Sequence, residues 1–418
     1  MTQHLAPIDW DLAYAHRTAR MRPSEIREFL KLLGTPGLIS FAGGIPDPEL
    51  FPADEIQRAT AAIFADPAAR ASALQYAVSE GYAPLRQWLA AYMGTLGVPC
   101  AAENIVITTG SQQGLDLLAK LFLSPGDPLL VTAPTYLGAI QAFDVYEPRY
   151  QTIDPEREDQ GVTGLQAKLA YAVPDFGNPS GETMSEVARL RLLDAAGELN
   201  VPLIEDAAYQ ALRFEGTAVP SCLALDVARN GDIDRSRVIY CGTFSKTISP
   251  GLRVGWICAA RALVQKIVLA RQAADLHGST LDQMIIHQVA ETSFNGQVQR
   301  IIPVYAGRRD AMLAALERFM PPGVTWTRPQ GGMFIWLTLP EPLDSNDLLR
   351  RSLAEEGIIF VPGTSFFTDG RGARHIRLNY TRSDAATIDD GIRRLGALVA
   401  RQLESARQEP VLAAGATT

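Results

Sequence analysis

The sequence predicts an α/β protein: a mostly parallel sheet covered by helices in a large domain, with a smaller α+β domain built from the N- and C-terminal segments. Three observations carry this. Short apolar, β-branched runs alternate with helical stretches through the middle of the chain, the pattern of a parallel sheet buried on both faces. The 418 residues, 47% hydrophobic and 20% charged, suffice for a large core split into two lobes. In the last third, Gly331 to Leu337 and His375-Ile376-Arg377-Leu378 alternate in the manner of antiparallel strands.

In chain order, residues 1–50 form an N-terminal segment of the small domain, 51–302 the large domain, 303–404 the C-terminal part of the small domain and 405–418 a loose, alanine-rich tail. Ile105-Val106-Ile107-Thr108 reads as a strand that breaks at Thr109-Gly110. Ser111 then stands at the N-cap of a helix running through Gln112 to Leu121, whose free N–H groups and dipole suit a phosphate. Leu129-Leu130-Val131 is the next strand and leads into Ala133-Pro134-Thr135-Tyr136. Tyr171-Ala172-Val173 is a short apolar run that breaks at the turn Asn178-Pro179-Ser180-Gly181. Val201 to Asp206 reads as a buried strand ending in an acid, and Val238-Ile239-Tyr240 as a strand leading to Thr243-Phe244-Ser245-Lys246.

Lys246 is the first candidate for chemistry. A lysine at a strand end, among small hydroxylated residues and seven positions before Arg253, suits a Schiff base to an aldehyde cofactor whose phosphate needs hydroxyls and a guanidinium. The implied cofactor is pyridoxal phosphate. Its ring nitrogen keeps a proton only beside a carboxylate, and Asp206, at the C-terminal end of a parallel strand, faces the crevice where ligands bind. A strand-end aspartate also caps turns, and a tyrosine such as Tyr136 after a buried strand also serves as core.

The order and spacing of Asn178, Asp206, Tyr209, Lys246, Arg253 and Arg377 resemble the class I/II aminotransferases of pyridoxal phosphate fold type I, over roughly residues 20 to 400. Ile39 to Pro52, with Gly43-Gly44-Ile45-Pro46, the segments Gln75-Tyr76 and Glu80 to Arg86, and Pro329 to Trp336 are similar to the 2-aminoadipate and kynurenine aminotransferase group. The resemblance implies Lys246, Asp206 and Tyr209 as catalytic residues. It puts Ser111, Gln112, Ser245, Arg253 and Tyr76 of a neighbouring subunit on the phosphate, Tyr136 on the ring face, and Asn178 and Tyr209 on the ring's 3-oxygen. Arg377, Asn178 and Gly44 would hold substrate, a planar guanidinium matching a carboxylate through two parallel hydrogen bonds. Ser24 and Arg27 would lie on a lid helix, with Arg27 facing a distal carboxylate or pairing with a helix neighbour. Gly177 and Ala207 depart from the family pattern and bear on specificity rather than on the class of reaction.

The expected activity is transfer of an amino group between an L-amino acid (2-aminoadipate, glutamate, aromatic or branched) and a 2-oxo acid, 2-oxoglutarate foremost. A lyase or cyclase would use the same Lys246 and Asp206. A cofactor-sensing regulator would need a basic DNA-binding domain ahead of Arg22, where only about twenty residues stand. The net charge of −8 argues against nucleic acid or anionic membranes as partners. The cysteines 100, 222, 241 and 258 have no metal or disulfide spacing, and His277, His287 and His375 match no ligand motif. With no signal or apolar span apparent, the expectation is a cytoplasmic homodimer with active sites at the subunit interface.

Overall fold

The central sheet has seven strands in the spatial order Ile105–Thr108, Gly255–Cys258, Val238–Thr243, Leu203–Asp206, Leu169–Ala172, Pro128–Thr132 and Arg149–Ile153. Only Gly255–Cys258 runs against the others. The computed structural model from which this architecture is taken describes residues 8–21, 23, 37–158 and 161–415; Ser24 and Arg27 lie outside them.

Successive side chains of a strand point to opposite faces, and here both faces are buried. Val106, Val131, Tyr171, Ile204, Ile239 and Ile257 pack against Leu115 and Leu118 of the helix Ser111–Phe122, Phe143 of Leu137–Asp144 and Ile267 of Arg261–Gln272. Ile105, Ile107, Leu130, Leu203, Val238 and Trp256 pack on the other side against the helices Ala83–Thr95, Glu186–Glu198 and Cys222–Asn230. That double burial is why these strands read as continuous apolar runs.

The smaller lobe is a four-stranded antiparallel sheet in the order Val361–Pro362, His375–Asn379, Phe334–Thr338 and Thr325–Trp326. The N-terminal segment joins this lobe, because Ile39–Ser40 pairs in parallel with Ile358–Ile359. One helix of 40 residues, Thr280–Phe319, serves both lobes. Its Ile286, Val289 and Phe294 enter the core of the large lobe, and its Ile301, Tyr305 and Met312 that of the small one. Pro303 lies inside this helix, so the boundary read there from the sequence falls within a continuous element.

Two local expectations change. The N-cap of Ser111–Phe122 is Gly110, at φ +75°, and Ser111 is the first helical residue. A side chain at 110 would meet Arg253, with a Cβ only 2.4 Å from its Nη2, so glycine takes the cap despite having no side-chain acceptor. The last helix runs Ala385–Gly415, carrying helical backbone ten residues past Ser405, as its Ala, Glu, Arg and Gln composition favours.

Candidate active site

A cavity of 470 Å³ opens at the C-terminal ends of the parallel strands, where ligands bind in open α/β sheets. Nine sequence candidates line it: Ser111, Gln112, Tyr136, Asn178, Asp206, Tyr209, Ser245, Lys246 and Arg253. All but Arg253, which precedes the strand Gly255–Cys258, lie at the end of a strand or in the segment that follows.

Lys246 stands three residues beyond Val238–Thr243. Thr243 Oγ1 accepts from the Ser245 N–H at 3.1 Å and donates to Ser245 Oγ at 2.9 Å, while Phe244 packs on Trp256 at 4.9 Å between ring centres. The turn is thereby fixed from both sides. Lys246 Nζ reaches into the cavity and donates to the Gly44 carbonyl at 2.9 Å. Burial lowers its pKa to about 8, helped by the charges of Arg377 and Arg253 and opposed by Asp206. The amine is thus partly deprotonated near neutrality.

Asp206 is buried, and its Oδ2 accepts a 2.8 Å hydrogen bond from the Tyr171 hydroxyl. Its Oδ1 is also buried and accepts no hydrogen bond among the described residues. Burial raises the carboxyl to about 6 against the Tyr171 bond and the Lys246 charge. An unfilled acceptor on a cavity wall suits a ring N–H such as that of a pyridinium. Tyr171 was not a sequence candidate; a tyrosine in a fully buried strand needs a partner for its hydroxyl, and that was the available signal.

Arg377 is 0% exposed and carried by the inward face of His375–Asn379. Its Nη1 donates to Asn178 Oδ1 at 2.8 Å and its Nη2 to the Ala42 carbonyl at 2.7 Å. Asn178 Nδ2 in turn donates to Tyr209 Oη at 3.2 Å. The guanidinium lies 4.3 Å above the Phe334 ring and 5.2 Å from that of Phe366. Among the described residues no carboxylate pairs with it, its Nε has no partner, and burial lowers its pKa to about 10. Burial likewise pushes the Tyr209 phenol well up.

The part of the cavity lined by Ser111, Ser245 and Arg253 is basic and rich in N–H groups. Arg253, at φ +52°, donates to the Pro250 carbonyl at 3.2 Å, beside the first turn of Ser111–Phe122. Gly255 permits this approach, since a Cβ there would lie 2.7 Å from the Ser111 nitrogen. Phosphate would meet Arg253, the Ser245 hydroxyl and the helix N-terminus together. Tyr136 also borders the cavity, with its phenol folded over Gly138, where a Cβ would come within 2.4 Å of the ring. Gln112 Nε2 donates to the Gly138 carbonyl at 2.6 Å. Thr243 and Gln141 also line the space and were not sequence candidates.

Tyr76 is not brought into this cavity. It is 80% exposed, edge-on to His277 at 5.9 Å. Arg374 and Arg382 are exposed, Arg374 bridging Glu341 at 3.3 Å.

A strand-end lysine, a buried carboxylate oxygen with no hydrogen-bond partner among the described residues and a basic, N–H-rich cavity wall on this sheet fit a pyridoxal-phosphate-dependent enzyme of fold type I. The family described as aminotransferase class I and II matches residues 47–395, and the chain belongs to it. It is 43% identical over 399 residues to a 2-aminoadipate transaminase of Thermus thermophilus, covering 94% of this chain and 98% of the relative. It is 40% identical over 411 residues to an aromatic-amino-acid aminotransferase of Thermococcus litoralis, covering 95% and 96%. A solved alpha-aminoadipate aminotransferase of Thermus thermophilus, complexed with N-(5'-phosphopyridoxyl)-L-leucine, superposes with a TM-score of 0.86 at 41% identity, covering 95% of this chain and all of that one. The chain is a pyridoxal-phosphate-dependent aminotransferase.

Proposed function

We propose that this enzyme moves the amino group of L-2-aminoadipate, L-glutamate or an aromatic or branched L-amino acid to a 2-oxo acid, 2-oxoglutarate foremost. The observation that carries the reading is Arg377: a fully buried guanidinium that among the described residues has no carboxylate partner, and whose Nη1 donates to Asn178 on the cavity wall. A substrate α-carboxylate supplies the missing charge. The breadth of donors rests on relatives named for 2-aminoadipate and for aromatic amino acids.

Bound pyridoxal phosphate supplies an electron sink that makes the amino-acid Cα proton removable. The chain's own residues do the rest. Arg253, Ser245 and the turn at Ser111 and Gln112 would hold the phosphate, Tyr136 would cover the ring, and Asp206 Oδ1, its carboxylate held in place by Tyr171, would accept from the ring nitrogen. Asn178 and Tyr209 would hydrogen-bond the ring's 3-oxygen. Arg377, with Asn178 and the Gly44 backbone, orients the substrate so that its Cα–H bond faces Lys246 Nζ. Lys246 Nζ would be the group that takes up the Cα proton and gives it back.

Acidic donors are assigned to Arg27 on the resemblance alone. Arg27→Ala then weakens 2-aminoadipate and glutamate more than aromatic or branched donors, and equal losses across both classes remove that assignment. The enzyme works as a cytoplasmic homodimer in this reading: Tyr76 stands exposed and free to reach a neighbour's phosphate, and all four cysteines are unpaired, as a reducing compartment leaves them. Among the described residues no helix is long and apolar enough to cross a membrane.

The deciding experiment adds L-2-aminoadipate and, separately, L-glutamate to cofactor-loaded protein without an acceptor. A change from the lysine-bound to the amine form of the cofactor, with one 2-oxo acid released per site, supports the reading and ranks the donors. Turnover that needs no 2-oxo acid acceptor overturns it in favour of a lyase or cyclase.

A further inference from the structure

Away from the cavity, Cys100 and Cys258 bring their sulfurs to 3.9 Å, with the Cys258 S–H donating to Cys100 Sγ. Cys258 ends the strand Gly255–Cys258 and is fully buried. Its backbone is held on both sides, opposite Ile105 and Tyr240. Cys100 lies outside the sheet, on the turn before Ile105–Thr108, and is partly open to solvent. Its own S–H reaches the Ala90 carbonyl at 3.9 Å. The other two cysteines, Cys222 and Cys241, are buried.

The two thiols are unlike. The hydrogen bond from Cys258 holds Cys100 below the ordinary thiol range, and the same contact, with burial, pushes Cys258 well above it. A thiolate is the nucleophile in thiol oxidation, and reactive cysteines are the acidic, accessible ones with a second thiol close by. Cys100 has both properties and Cys258 is its neighbour.

We propose that Cys100 and Cys258 form a peroxide-reactive pair that closes to an intramolecular disulfide. The Cys100 thiolate attacks one oxygen of hydrogen peroxide, the O–O bond breaks, and Cys100 becomes a sulfenic acid while the departing hydroxide takes up a proton as water. The Cys258 sulfur then attacks Cys100 Sγ, the S–O bond breaks, and the hydroxyl leaves with the Cys258 proton as a second water. Two thiols are oxidised to one disulfide and one peroxide is reduced to two waters. Bonded sulfurs lie about 2 Å apart, and the turn carrying Cys100 supplies the approach while the sheet holds Cys258 in place.

The test treats the full-length, cofactor-loaded enzyme with hydrogen peroxide, alkylates the remaining thiols and reads intact mass and peptide maps. The expected product has lost two hydrogen atoms, alkylates at two cysteines instead of four, and yields one cross-linked peptide joining residues 100 and 258. Cys258→Ser retains a dimedone-trappable sulfenic acid at Cys100, and Cys100→Ser gives neither adduct nor cross-link. An unchanged thiol count, a dimedone adduct at Cys258, or a cross-link involving Cys222 or Cys241 overturns the proposal.

Discussion

Arg377 and Asn178 are joined by a 2.8 Å hydrogen bond from guanidinium Nη1 to amide Oδ1, although 199 positions separate them in the chain. Because the same amide donates to Tyr209 at 3.2 Å, Arg377, Asn178 and Tyr209 form one continuous chain of side chains.

Arg377→Lys keeps a charge but loses the planar fork. We expect kcat/KM for amino acids to fall on the order of a hundredfold, about 3 kcal/mol, with cofactor affinity nearly unchanged. Steady-state kinetics beside a cofactor titration of the apoprotein check this; equal losses in both would place Arg377 on the cofactor instead.

The free Lys246 amine titrates near pH 8 in the folded apoprotein and near 10.5 when unfolded. Between those values the unfolded chain binds more protons, so unfolding free energy rises with pH; the cost of burying the cation is complete below pH 8. Asp206 behaves differently, since its carboxyl is raised from 3.8 to about 6 and apoprotein stability falls as pH climbs through that window. Denaturant unfolding across pH should display the alkaline rise in the native apoprotein and lose it in Lys246→Met.

Arg189 is 0% exposed and uses every N–H: two parallel bonds of 2.9 and 3.2 Å to Asp175 and one each to the Pro174, Met184 and Pro220 carbonyls. It braces the turn that presents Asn178. Among the described residues, Arg189→Ala leaves Asp175 only the Arg213 guanidinium at 3.4 Å and Glu205 only the Cys222 and Leu223 N–H groups, and we expect a loss of about 3 kcal/mol in urea unfolding. A change under about 1 kcal/mol would mean that water replaces the guanidinium at little cost.

Gly138→Ala sets a methyl group against the Tyr136 ring, at 2.4 Å before relaxation. Displacing that ring should weaken pyridoxal phosphate binding by roughly tenfold, with global stability lowered by only about 1 kcal/mol. Titration of apoprotein by absorbance measures the first and thermal melting the second.

What the sequence made legible was local. Asp206 ends a buried strand and Lys246 follows one closely, and both apolar runs end abruptly, so strand and site residue can be read in one window. The parallel sheet was legible for the same reason, both of its faces being buried. Contacts that fold over long separations were not: the Tyr171 hydroxyl on Asp206 depends on how neighbouring strands register, with Tyr171 opposite Ile204. Ser111 was misplaced by one position because the cap is taken by Gly110 at φ +75°, a backbone conformation that glycine adopts readily and that the helical pattern does not announce. The role given to Tyr76 involves a second chain and rests on resemblance alone.

The helix Thr280–Phe319, at 1.5 Å per residue, is about 60 Å long and is built into both cores. Neither lobe can melt without stripping the other of part of its interior. We therefore expect heating to meet one cooperative unit despite the two lobes, read as a single calorimetric peak whose midpoint moves when a substitution is made in either half.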